Sequence, residues 1–141
     1  MEKQQRLEKA NQLITLIAES GRQFFNYTDY NDKGGTISHF KLKNNRLYFV
    51  DGYTKKEIYA YANGPFRCYF SDGGTMRAFI LDLSEYIRTG KATNSKNGYG
   101  GVYCAHWGYP ENDMKKVREK ALEIGFTKGR TIDYEKHKYI T

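Results

Sequence analysis

The chain has 141 residues, which suits one domain, and a domain of this size buries roughly 68% of the surface its unfolded chain exposes, enough for a core of its own. A net charge of +7 favours anionic partners (nucleotides, nucleic acid or an acidic protein surface), the plainer alternative being a solvated surface that keeps the protein soluble. Two cysteines, Cys68 and Cys104, exclude a disulfide framework and show no zinc spacing, and an N-terminus without a continuous apolar run excludes a signal peptide or membrane span, so a cytoplasmic protein is expected.

Over residues 3–20, Leu7, Ala10, Leu13, Ile14, Ile17 and Ala18 recur on one face with Lys, Gln and Glu opposite, which predicts an amphipathic helix. Ser20-Gly21 is its expected stop, because glycine tolerates a left-handed cap. Residues 31–35 (Asn-Asp-Lys-Gly-Gly) read as a loop. Residues 36–43 and 46–50 then read as strands joined by Asn44-Asn45, a pair that tolerates the positive φ of a tight hairpin turn. Phe40 and Leu42 would share one face, as would Leu47 and Phe49. Residues 51–54 carry a turn signal, and residues 57–61 and 66–70 alternate as two further strands around Asn63-Gly64-Pro65.

Residues 75–88 form the clearest predicted helix, with Met76, Phe79, Ile80, Leu83 and Ile87 at helical spacing and Gly90 past its end. Residues 91–101 read as a loop and 102–107 as a strand. Pro110 opens a last helix carrying Met114, Val117, Ala121 and Ile124, with Gly125 as its stop. The expected fold is α+β: an antiparallel meander sheet of about five strands with three helices packed on one face, in a single domain over residues 1–126. Residues 127–141 form a basic C-terminal tail, read as an added strand, an arm that packs on a partner, or a disordered end.

Three clusters could carry chemistry. Gly73, Gly74, Thr75 and Arg77 lie where a strand meets the start of the best helix. Free amides, a partial positive charge and a guanidinium would there receive a phosphate. The alternative is a Gly-Gly turn with Asp72 or Thr75 as the cap. The second cluster interleaves tyrosines with basic residues: Lys55, Tyr59 and Tyr61, then Arg67 and Tyr69. Such a strand face could stack bases and hold phosphates, or simply cover the core edge. The third is Cys104 with His106 on one strand face. No orienting residue accompanies them, so packing is the ordinary role, and Trp107 reads as a stacking surface or a core plug. No Walker loop or dinucleotide fingerprint is present, His39 and His137 show no ligand spacing, and no acid–base arrangement stands out. Neither a cofactor, a metal nor an enzymatic activity is expected. The lysines and arginine of residues 115–120, interspersed with glutamates, read as a solvated helix face.

Three stretches carry a resemblance: Arg22-Gln23-Phe24-Phe25, residues 49–59 (Phe-Val-Asp-Gly-Tyr-Thr-Lys-Lys-Glu-Ile-Tyr), and residues 67–77 ending in Gly-Gly-Thr-Met-Arg. The chain resembles a family of small uncharacterised proteins carried by phages and plasmids, well over residues 5–90 and more loosely around Trp107-Gly108-Tyr109. The resemblance implies mobile-element origin and no particular activity. Small phage accessory proteins commonly act by binding, host immunity being one target. The leading expectation is a non-enzymatic accessory protein that binds an anionic, nucleotide-type small molecule, with counter-defence by sequestration as a further step. Nucleic-acid binding and docking on a host protein are the alternatives; no membrane partner is expected, and a homo-oligomer stays open.

Overall fold

The computed structural model describes residues 2–20, 26–29, 32–52, 55–59, 74–92 and 111–127, with the backbone alone at 26–29, 32–36, 74–78 and 111. The first predicted helix is α1, Lys3–Glu19, and it buries Leu7, Ala10, Leu13, Ile14, Ile17 and Ala18, the six residues its periodicity selects. It ends on Ser20 in extended conformation, with the Ser20 N–H on Ile17 O at 3.2 Å and the Ser20 hydroxyl on Leu16 O at 2.7 Å. A serine cap thus takes the place of the expected glycine cap; Gly21 lies outside the described residues.

Two antiparallel hairpin systems follow. In the first, β1 (Asn26–Asp29) pairs with β2 (Asp32–Ile37), matching Asn26 with Ile37 and Asp29 with Asp32. The expected loop over 31–35 is therefore largely strand. The register shifts between Tyr27 and Asp29, so Gly34 and Gly35 fall at an irregularity of the ladder, a place where strand glycines are common. The second system is a three-stranded meander in the order β3 (His39–Lys43), β4 (Arg46–Val50), β5 (Glu57–Tyr59). The predicted strand over 36–43 is thus divided at Ser38. That serine is buried, and its hydroxyl accepts the Gly52 N–H at 2.8 Å, which pins the crossing between the two systems.

Asn44 and Asn45 both take positive φ, at 51° and 62°, as the predicted two-residue turn requires. The register pairs Phe40 with Phe49, Leu42 with Leu47, and Phe49 with Ile58. One face of the meander is therefore apolar, and Phe40, Leu47, Phe49 and Ile58 on it are buried. The expected strands at 66–70 and 102–107 lie outside the described residues. Among the described residues the strands form a pair and a triplet rather than one sheet of five.

The helices α2 (Gly74–Thr89) and α3 (Glu111–Glu123) complete an α+β fold with three helices. Of these, α1 packs on β3 and also touches α2 and α3, so it sits between sheet and helices. Phe79, Ile80, Leu83, Tyr86 and Ile87 are buried from α2, and Met114, Val117 and Ala121 from α3, all in one core with the sheet face. Burying each of the larger aliphatic and Phe side chains contributes about 1.5–3 kcal/mol relative to exposure. Gly90 (φ 75°) and Gly125 (φ 82°) end the two helices in the left-handed region, as expected. At the second, Gly125 N–H bonds Leu122 O and Phe126 N–H bonds Ala121 O, the paired bonds of a Schellman cap. Phe126 then inserts edge-on against Phe79 and Tyr86, with ring centroids 5.9 and 5.7 Å away. Arg118 departs from the expected solvated face: it stands at i+4 from Met114, on the inner stripe of α3, and is 5% exposed. Among the described residues no helix is long and apolar enough to cross a membrane.

Candidate functional site

The first turn of α1 and the last turn of α2 meet at the end of the sheet that holds the Asn44-Asn45 turn. The junction is made by Arg6, whose Nε donates to Ile87 O at 2.8 Å and whose Nη2 donates to Arg88 O at 3.3 Å. Those carbonyls end a helix and lack intrahelical donors, so a guanidinium there satisfies hydrogen bonds and opposes the negative end of the helix dipole. Gly90 stands beside it; a Cβ there would make only ordinary contact, 3.5 Å from the Arg6 guanidinium, so the position calls for glycine through its φ of 75° rather than for space. A second tie joins α1 to the hairpin: Lys3 Nζ donates to Asn45 O at 3.2 Å.

Between these ties opens a cleft of about 340 Å³ lined by Lys3, Asn45, Arg46, Leu47, Tyr59 and Arg88. The Arg46 guanidinium lies over the Tyr59 ring, 5.7 Å from its centroid, so the cation and the ring face are already held together. Arg88 is bridged to Glu85 at 3.1 Å, one helical turn back. Among the described residues no carboxylate pairs with Lys3 or Arg46. The cleft thus gathers three cations, an amide and an aromatic ring, which is chemistry suited to a phosphate attached to a flat ring. A larger hollow of about 590 Å³ runs along α1 past Glu8, Asn11, Gln12, Thr15, Leu16, Glu19 and Lys120. Two carboxylates against one ammonium give it the wrong sign for an anion.

Tyr59 also belongs to the outer face of the meander, opposite the core. Its ring centroid lies 5.7 Å from that of Tyr48, its cross-strand partner, with the planes 50° apart. On the same face Glu57 binds Lys41 through a short ion pair and Lys43 at 3.6 Å. The hydrogen bond from Lys41, with the charge of Lys43 adding to it, holds the Glu57 carboxyl below its ordinary value. Among the described residues no three His, Cys, Asp or Glu side chains are grouped so as to hold a metal ion.

Of the residues selected from sequence, Tyr59 lines the cleft. Lys55 (φ 64°) sits in the β4–β5 turn, its N–H on Asp51 O at 2.8 Å, a strand length away at the other end of the meander. Gly74, Thr75 and Arg77 form the first turn of α2, and nothing is described of the Thr75 and Arg77 side chains. That turn is separated from Arg88 by most of a helix, roughly 20 Å at 1.5 Å per residue, so Tyr59 is grouped with the C-terminal end of α2 and not with its start. Gly73, Tyr61, Arg67, Tyr69 and Trp107 lie outside the described residues, as do Cys104 and His106. Sequence reasoning missed Lys3, Asn45, Arg46 and Arg88. The Asn-Asn turn with an arginine after it was a visible signal; the closure of two helix ends upon that turn has no local signature.

A family model described as YoqU matches residues 1–139 of the chain. The SPbeta prophage-derived uncharacterized protein YoqU of Bacillus subtilis (strain 168) is 34% identical over 132 residues, covering 92% of this chain and 86% of that relative. No solved structure matches.

Proposed function

The chain belongs to the YoqU family, which has a prophage-derived member, and from that premise we propose that it is a non-enzymatic phage accessory protein that captures an anionic, nucleotide-type ligand in the cleft. The observation that carries this reading is the convergence of Lys3, Arg46 and Arg88 beside the ring of Tyr59. Guanidinium groups match phosphate oxygens in a planar fork, and the Lys3 ammonium adds a point charge. Tyr59 supplies an aromatic wall beside the phosphate, and Asn45 a polar edge. The cleft volume lies at the small end of the range for ligand sites, which favours one nucleotide unit over a larger molecule. Held on a mobile element and acting in the host cytoplasm, such capture serves to sequester a host nucleotide signal and so to blunt immunity. The alternating residues at 66–70 and 102–107 favour two more strands beside the meander, for a sheet of five.

The test is calorimetric titration of the full chain against nucleoside mono-, di- and triphosphates and cyclic nucleotides. At least one is expected to bind, and Arg46→Ala to weaken it about tenfold or more, since a hydrogen bond to a charged group contributes about 1.5–3 kcal/mol. No heat with any nucleotide, or an Arg46→Ala protein that binds as well as the parent, overturns the reading.

A further inference from the structure

The three cations of the cleft are not equivalent. Arg88 is bridged to Glu85 and has further partners, so its charge is largely answered within the protein. Lys3 and Arg46 differ: among the described residues their contacts are a carbonyl oxygen and an aromatic ring, and neither meets a carboxylate. Lys3 Nζ donates to Asn45 O at 3.2 Å, and since an ammonium carries three donors, two remain. Arg46 lies over the Tyr59 ring and makes no hydrogen bond among the described residues. The two cations are held side by side, because the carbonyl that anchors Lys3 belongs to the residue before Arg46. No carboxylate is among the lining residues; Glu2, next to Lys3 in the chain, lies outside them.

We infer that the cleft selects nucleotides that end in a phosphate monoester over those whose phosphate is a diester, as in a cyclic nucleotide. The inference rests on the cleft being a nucleotide-phosphate site and names the kind of phosphate it takes. A terminal phosphate carries about −1.5 to −2 charge at neutral pH and offers three acceptor oxygens, whereas a diester carries about −1 and has two non-bridging oxygens. Lys3 and Arg46 contribute one positive charge each, which together balance the first and exceed the second. Acceptor number points the same way. The planar fork of Arg46 takes two oxygens in parallel, and the third falls to the Lys3 ammonium. With a diester the fork alone uses both non-bridging oxygens, and Lys3 is left without one. Arg88, already engaged by Glu85, adds an attraction common to both kinds of ligand.

Calorimetry of the full chain with the 5′-mono-, di- and triphosphate of each nucleoside, beside its 3′,5′-cyclic monophosphate, tests this. The tightest 5′-phosphate is expected to bind about tenfold or more tighter than the cyclic form of the same nucleoside, the difference made by one charge-assisted hydrogen bond. Lys3→Gln keeps a donor for Asn45 O but removes the charge. It should weaken the 5′-phosphate about tenfold and leave the cyclic form unchanged, so that the preference disappears. Lys3→Arg restores the charge and should keep the preference, while Arg46→Ala should weaken both kinds of ligand. A cyclic nucleotide that binds as tightly as the 5′-phosphates, or tighter, overturns this inference and leaves the cleft standing as a nucleotide site. A Lys3→Gln protein with the parent's preference also overturns it. Binding of none of these ligands overturns both the inference and the reading it rests on.

Discussion

Asn11 stands in mid-helix on α1, where its side chain has no helical role. Its Nδ2 donates to Phe40 O at 2.9 Å and its Oδ1 accepts the Phe40 N–H at 2.6 Å. The carboxamide thus acts as a single residue of a neighbouring strand, pairing backbone groups on the edge of β3 that would otherwise be open. Asn11→Ala leaves a partly buried donor and acceptor unpaired and should destabilise the protein by about 1–3 kcal/mol in urea unfolding. At the same scale Glu57 answers to Lys41. Its carboxyl titrates below the ordinary value, so its contribution to stability is present above the ordinary carboxylate range and is lost as pH falls through the lowered value. Lys41→Gln should move the Glu57 titration upward, toward that ordinary value, as followed by carboxyl-carbon NMR. An unchanged titration would show that Lys43 alone suffices.

Between elements, the tightest specification lies at helix ends. Arg6 joins α1 to the last turn of α2, and the Tyr86 hydroxyl joins α2 to the end of α3 through a hydrogen bond to Ile124 O. Arg6→Ala removes both donors from the α2 carbonyls and should cost about 1.5–3 kcal/mol, again by urea unfolding. Arg6→Lys should recover little, since one ammonium cannot span two carbonyls as the fork does. Helix positions were legible in the sequence because apolar side chains recur at helical spacing in all three, and the Gly90 and Gly125 stops suit the left-handed φ found there. Strand limits were less so. Ser38 divides what alternation presents as one strand, because a buried hydroxyl bond to Gly52, fourteen residues on, has no trace in a local pattern.

For the molecule as a whole, Tyr86 shows how burial couples to pH. Burial raises its phenol above the ordinary value, with the Arg6 charge working partly against that shift. The unfolded chain therefore ionises first, and the stability Tyr86 contributes is full below about pH 10 and is lost as pH rises toward the folded-state value. Tyr86→Phe should flatten the decline in urea stability between pH 9 and 11, and a slope equal to the parent's would exclude Tyr86 as its source. The cleft is likewise a property of the whole. Lys3, Arg46 and Arg88 are separated by more than forty residues at each step, and they meet because α1, the first hairpin turn of the meander and α2 end at one place.

Composition and periodicity determined the α+β class, the three helices with their buried stripes, and the tight Asn-Asn turn, since each follows from local φ preferences and from which side chains must leave water. They also determined a basic, tyrosine-rich composition. Tertiary structure alone decided that Lys3, Arg46 and Arg88 meet at the last turn of α2, that α1 lies between sheet and helices, and that Arg118 turns inward. Those outcomes depend on contacts between residues distant in the chain, and no local preference encodes them.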